Sequence, residues 1–160
     1  MVAIEAPGAD AAETVTDLWV ALAAGQREHG SHILAEANRA RIRERLLRHA
    51  VNDTLLVARA EDVVGFVTVE REGGTYAQDD TRGVVTNLYV RPEHRGDGVG
   101  SMLLEAAENR LRKLGADAIA LEVMADNEAA RRFYRRAGYD PHRVELEKSV
   151  ESDTHTKGDQ

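Results

Sequence analysis

The chain has 160 residues with a formal net charge of -7, a length that suits one domain burying roughly two-thirds of its unfolded surface. The negative balance argues against general affinity for nucleic acid or an anionic membrane and favours cationic partners such as amines. The lack of cysteine excludes disulfides, thiolate metal ligands and a covalent acyl-cysteine step.

No window reaches the ~20 apolar residues of a membrane span. The opening MVAIEAPGADAA lacks the basic region and apolar core of a signal peptide, so a cytoplasmic protein is expected. Basic residues are almost all arginine, the lysines being Lys113, Lys148 and Lys157. That style fits a salt-loving archaeon or, alternatively, a GC-rich genome.

Met1 to Ile4 reads as a short edge strand broken by Ala6-Pro7-Gly8. From Asp10 the period becomes helical, with Val15, Leu18, Trp19, Leu22 and Ala23 on one stripe and Gly25 near the stop. A polar loop from Gln26 to Ser31 follows, and His29 with His32 is too thin a pair to make a metal site. Residues 33–50 form a second predicted helix burying Ile42, Leu46 and Leu47, its arginines a solvated face paired with Glu36 and Glu44. Residues 54–60 and 63–72 are β-branched runs joined by Glu61-Asp62, hence a hairpin, with Gly65 marking a bulge or close backbone approach.

Residues 84–104, VVTNLYVRPEHRGDGVGSMLL, pass from strand through a glycine turn into a helix. Val84, Val85, Leu88, Tyr89 and Val90 make the strand, and Pro92 ends it by withholding a ladder donor. From Gly98 the apolar positions take helical spacing up to Leu114-Gly115. Glycines at such a junction are either plain turn residues or a cradle whose N–H groups converge on an anion at the helix N-terminus. A P-loop fails here because Ser101 follows Gly100 with no lysine, and a dinucleotide fingerprint fails because its third glycine would fall on Ser101 or Leu103.

Residues 118–124 give the next strand, joined to the previous one by a crossover helix and therefore parallel to it. Asn127 suits the N-cap of a helix over 128–137, and residues 139–148, with Val144 and Leu146 alternating with charges, read as one last strand. The sum is an α/β (α+β) domain over 1–148, a mixed sheet of about six strands with about four helices, and a disordered polar tail over 149–160.

Arg95-x-x-Gly98-x-Gly100 after Leu88-Tyr89-Val90-Arg91-Pro92 resembles motif A of the GCN5-related N-acetyltransferase (GNAT) family. Leu121 to Asn127 followed by Ala129, Ala130, Phe133, Tyr134, Gly138 and Tyr139 resembles its motif B. The resemblance implies a splayed parallel pair formed by the strands at 84–90 and 118–124, and an acetyl-CoA-dependent N-acetyltransferase with no metal. The diphosphate of acetyl-CoA would sit on Arg95, Gly96, Asp97, Gly98, Val99, Gly100 and Ser101, and its pantetheine along Leu88, Tyr89, Val90 and Asn127.

By the same resemblance Tyr134 is the general acid for the departing thiolate, although a tyrosine there also suits a core. Leu121-Glu122-Val123 resembles the ribosomal-protein and N-terminal-amine acetyltransferase branch, where that glutamate is the proposed base; alternation alone would aim Glu122 at solvent. Trp19, Glu28 and His29 would border the pocket of the acceptor amine, small or peptide-borne, though Trp19 equally suits a core. The family's usual closing hairpin is reduced here to one strand, which points to a homodimer covering the last sheet edge. A catalytically silent, CoA-binding regulatory or partner module with the same fold is the alternative.

Overall fold

In a computed structural model, which describes residues 1–74 and 76–151, nine elements alternate with short loops. They are β1 (Ala3–Glu5), α1 (Ala12–Arg27), α2 (Arg39–Val51), β2 (Leu55–Arg59), β3 (Val63–Arg71), β4 (Arg82–Val90), α3 (Val99–Lys113), β5 (Ala118–Leu121) and α4 (Glu128–Arg136). The strands form one mixed sheet in the order β1-β2-β3-β4-β5. All pairs are antiparallel except β4 with β5, which α3 connects as a crossover.

Each face of the sheet carries its own core. On one, Leu103, Ala107 and Leu111 of α3 pack on Val64, Val67, Val69 and Val85. On the other, Val15, Leu18 and Trp19 of α1 and Leu46 of α2 pack on Leu55, Val57 and Phe66. Phe66 is fully buried, which contributes roughly 1.5–3 kcal/mol. Gly65 carries no side chain because a Cβ there would stand 2.7 Å from the Tyr89 carbonyl oxygen and 3.1 Å from Leu103. The close backbone approach expected of that glycine is what lets α3 lie down on β3.

Several boundaries differ from expectation for physical reasons. α1 runs past Gly25 to Arg27, and the stop is Gly30, whose φ of 100° turns the chain as its N–H bonds the Arg27 carbonyl. α2 begins only at Arg39, leaving Ile33 and Leu34 exposed ahead of it. Its arginines reach further than one helical turn: Arg39 joins Asp17 as well as Glu36, Arg43 meets Glu13 and Arg45 meets Glu70. Glu44 pairs with none of them among the described residues.

The sheet has five strands instead of six. Residues 139–151 form no strand, all but Tyr139 are exposed, and from Asp140 to Val150 no backbone–backbone hydrogen bond is made among the described residues. Alternation makes residues 139–148 fit to be a strand, but past Tyr139, whose N–H bonds the Tyr134 carbonyl, no backbone group of a described neighbour takes up their N–H and C=O groups. β5 also stops at Leu121, short of Met124. The disordered tail expected over 149–160 lies outside the described residues from position 152 onward.

Candidate active site

β4 holds one residue more than β3 opposite it. Thr68 faces Asn87 and Val69 faces Val85, so Thr86 has no partner and the strand bulges there. Three side chains hold the bulge. The Thr68 and Thr86 hydroxyls lie 2.7 Å apart, the Thr86 hydroxyl also reaches the Thr68 carbonyl at 3.2 Å, and Asn87 Nδ2 donates to Thr68 Oγ1 at 2.9 Å. β5 follows β4 only from Arg82 to Val85, up to the bulge. Beyond it Leu88 packs toward α3 and Tyr89 toward the α1 face, and the backbone of Leu88, Tyr89 and Val90 loses its neighbour where the two parallel strands part.

The loop after β4 leads into a helix end with free amides. Gly96 and Gly98 take φ of 89° and 85°, and a Cβ on either would find nothing within 4 Å, so there is both the backbone reversal and the open space an anion needs. No side chain caps Gly98, and the first bond back to its carbonyl comes from Met102. The N–H groups of Val99, Gly100 and Ser101 therefore point out of α3 along the positive end of its dipole. Asp97 and Ser101 are exposed, while Val99 is buried as the helix's first anchor. Arg95 folds back: its Nε donates to the Val90 carbonyl at 2.8 Å and its guanidinium stacks 5.3 Å from the Tyr89 ring centre.

Gly100 has a different task from its neighbours. A Cβ there would meet the Phe133 ring at 3.5 Å, so the residue marks where α4 crosses the start of α3. Asn127 caps α4, its Oδ1 accepting from Ala130 N at 3.2 Å. Phe133 packs edge-on against Tyr134, and Tyr134 against Tyr139, with ring centres 5.1 and 6.0 Å apart. Burial pushes the Tyr134 phenol up to about 12. Its hydroxyl has no hydrogen-bond partner among the described residues, yet it is not among the sealed polar atoms, so the ring is half-buried and the hydroxyl is accessible.

Glu122 is the first residue past β5, exposed and without a hydrogen bond among the described residues. His29, in the turn after α1, joins its Nδ1 to Asp126 Oδ1 at 2.9 Å. Gly30 beside it stands close to Met124, its ideal Cβ 3.7 Å from the thioether methyl, so the α1–α2 turn touches the loop that leaves β5. Glu28 is exposed at the end of α1. Trp19 is 7% exposed within the α1-face core, and packing, not an open pocket wall, accounts for it. The sequence does not single out Thr68, Thr86 and Asn87, although polar residues inside two otherwise apolar strands were a signal, nor Asp126, for which there was none.

A family model described as the acetyltransferase (GNAT) family matches residues 15–139. The chain belongs to that family. Among curated relatives it is similar to N-alpha-acetyltransferase 30 of Schizosaccharomyces pombe, 40% identical over 58 residues, 36% of this chain and 39% of the relative. It is also similar to mycothiol acetyltransferase of Propionibacterium freudenreichii, 43% identical over 89 residues, 53% of this chain and 27% of the relative. The chain thus spans well under half the length of these curated GNAT relatives. The fold is that of the PaiA N-acetyltransferase of Thermoplasma acidophilum, solved with coenzyme A, at a TM-score of 0.75 and 21% identity over 91% of this chain and 93% of that one.

Proposed function

We propose that this GNAT chain is an acetyl-CoA-dependent N-acetyltransferase that passes an acetyl group directly to a primary amine. The observation that carries the proposal is the parting of β4 from β5 at the Thr86 bulge, beside glycine amides with open space before them. The amides of Gly96, Asp97, Gly98, Val99, Gly100 and Ser101 hold the diphosphate, and Arg95 stiffens the loop and adds charge. Leu88, Tyr89 and Val90 offer main-chain groups to the pantetheine as an edge strand would, and Asn127 has its Nδ2 left to donate to it. When bound, acetyl-CoA supplies an activated acetyl group and a thiolate leaving group.

Tyr134 donates to the developing charge on sulfur. Its phenol at about 12 stays protonated at neutral pH, but it is a weaker acid than a thiol of ~8.5 by roughly 3.5 units, about 5 kcal/mol. Tyr134 therefore acts chiefly as a hydrogen-bond donor, and the proton the sulfur takes up is the one the nitrogen sheds after it has attacked as the neutral amine. Glu122, at the opening of the gap, takes the proton that frees the amine. Glu28 and His29 border the acceptor, and Trp19 is left out because it is core. The chain works in the cytoplasm as a homodimer, and its acidic, arginine-rich surface suits high salt.

An acceptor screen that follows thiol release from acetyl-CoA tests this, using small amines, peptide N-termini and lysine side chains. Tyr134→Phe and Glu122→Gln are each expected to lower turnover about tenfold to a thousandfold while coenzyme A binding persists. Full turnover in both variants overturns the assigned roles. Binding with no turnover on any acceptor favours a silent CoA-binding module.

A further inference from the structure

The described chain ends in a strip that no described residue covers. From Asp140 to Val150 every residue is exposed, Val144 at 76% and Leu146 at 89%, and no backbone N–H or C=O of the strip bonds another backbone group among the described residues. Both ends are nevertheless held. The Tyr139 hydroxyl donates to Glu108 Oε2 of α3 at 2.7 Å, and Glu147 Oε2 lies 2.9 Å from His32 Nε2. The second contact ties the strip to His32, the residue before exposed Ile33 and Leu34. A row of unpaired backbone groups with alternating side chains is a template for another strand.

The letters of the strip, His142-Arg143-Val144-Glu145-Leu146-Glu147, say which strand. A two-fold antiparallel pairing is fixed by the residue on its axis, since residues equally far from that residue face each other. With Val144 on the axis, Arg143 faces the partner's Glu145 twice, Val144 faces its own copy, and Leu146 faces the partner's His142. With Arg143 or Glu145 on the axis like charges meet, and with Leu146 there Glu145 meets the partner's Glu147 twice. Of the registers centred on residues 143 to 146 only that of Val144 avoids like-charge pairs, and unlike a register centred on His142 it sets Arg143 against Glu145 twice; it also leaves Glu147 on His32. The outer edge of β5, Ala-Ile-Ala-Leu with no charge, offers nothing comparable to fix a register.

We propose that residues 142–146 pair antiparallel with the same residues of a second copy of this chain, two-fold about Val144. The proposal gives the homodimer of the functional reading its interface and rests on that reading only for the number of copies. Because the chain has no cysteine, a Val144→Cys variant carries a single thiol that meets its own copy across the axis. Mild oxidation is expected to convert it to a disulfide-linked dimer, while Glu145→Cys, two residues out of register with itself, stays monomeric on a non-reducing gel. By light scattering the wild type is expected to run as a dimer. Arg143→Glu weakens that dimer by about tenfold or more through two like-charge pairs, and adding Glu145→Arg restores it.

A monomeric wild type at micromolar concentration overturns the proposal. So does a dimer in which Val144→Cys links no better than Glu145→Cys, or in which charge reversal has no effect; pairing on the β5 edge would give that result. Coenzyme A calorimetry on the same variants keeps the two readings apart, because these exposed positions touch no part of the cradle and binding is expected to be unchanged.

Discussion

Replacing Gly98 with alanine tests the anion cradle with the smallest possible change. The residue sits at φ 85° with nothing within 4 Å of the position a Cβ would take, so the substitution creates no clash. An L-residue in that left-handed region costs about 1–2 kcal/mol, which in a domain of this size lowers Tm by roughly 2–4 °C per kcal/mol. If the loop keeps its shape, the new methyl occupies the space before the amides; if it relaxes, the amides turn away. Either way a charge-assisted hydrogen bond worth about 1.5–3 kcal/mol is lost, a weakening of coenzyme A binding of roughly tenfold to a hundredfold. Titration calorimetry with coenzyme A and with pantetheine, which has no diphosphate, separates the causes. Equal losses for both ligands, or undiminished coenzyme A affinity in a variant with lowered Tm, would refute the assignment of the diphosphate to these amides.

Thr68→Val removes a fully buried hydroxyl from the bulge and strands the Asn87 amide, so a fall in stability of about 1–2 kcal/mol is expected in urea unfolding; an unmoved midpoint means the hydroxyls do not hold the bulge. His49 is held below its ordinary pKa, first by burial and against the pull of Glu70, so the unfolded chain binds its proton more readily. Its contribution is present above the unfolded value of ~6.5 and is lost as pH falls through the folded one. Tm should drop less steeply below pH ~6 in His49→Gln than in the wild type, and parallel curves would discount it. With a net charge of -7, unfolding followed from about 0.1 M to 1 M potassium chloride, where the Debye length shrinks from ~10 to ~3 Å, should give a rising Tm. A flat or falling series points to codon usage instead of salt adaptation.

Much of this domain is written in local patterns that need no tertiary information. The stripe of Val15, Leu18, Trp19 and Ala23, the period change at Gly98 and the cap at Asn127 each report a nearby physical requirement, and each stands where expected. The splay of the parallel pair is expected as a family trait, but the Thr86 bulge beside it is not legible, because an extra residue shows itself only against the strand opposite, and the register of Thr68 with Asn87 is not visible along one strand. For the same reason the His29–Asp126 contact, 97 positions apart, left no trace in either neighbourhood. The last strand failed differently: alternation in residues 139–148 states that one face wants a cover and says nothing of which chain provides it.

Gly98 and Gly100 are two residues apart in one motif, yet they answer to different neighbours. At Gly98 the backbone itself demands glycine through its φ, whereas at Gly100 the Phe133 ring stands 3.5 Å from the missing Cβ, ordinary contact that a methyl tolerates. A larger side chain at Gly100 would push Phe133, and with it Tyr134 edge-on to the same ring, away from α3. The second glycine of the anion motif thus sets where the phenol of the other motif stands relative to the gap between β4 and β5. On the proposed reading, in which the first motif holds the diphosphate, its second glycine would also seat the helix that aims the Tyr134 hydroxyl at the departing sulfur.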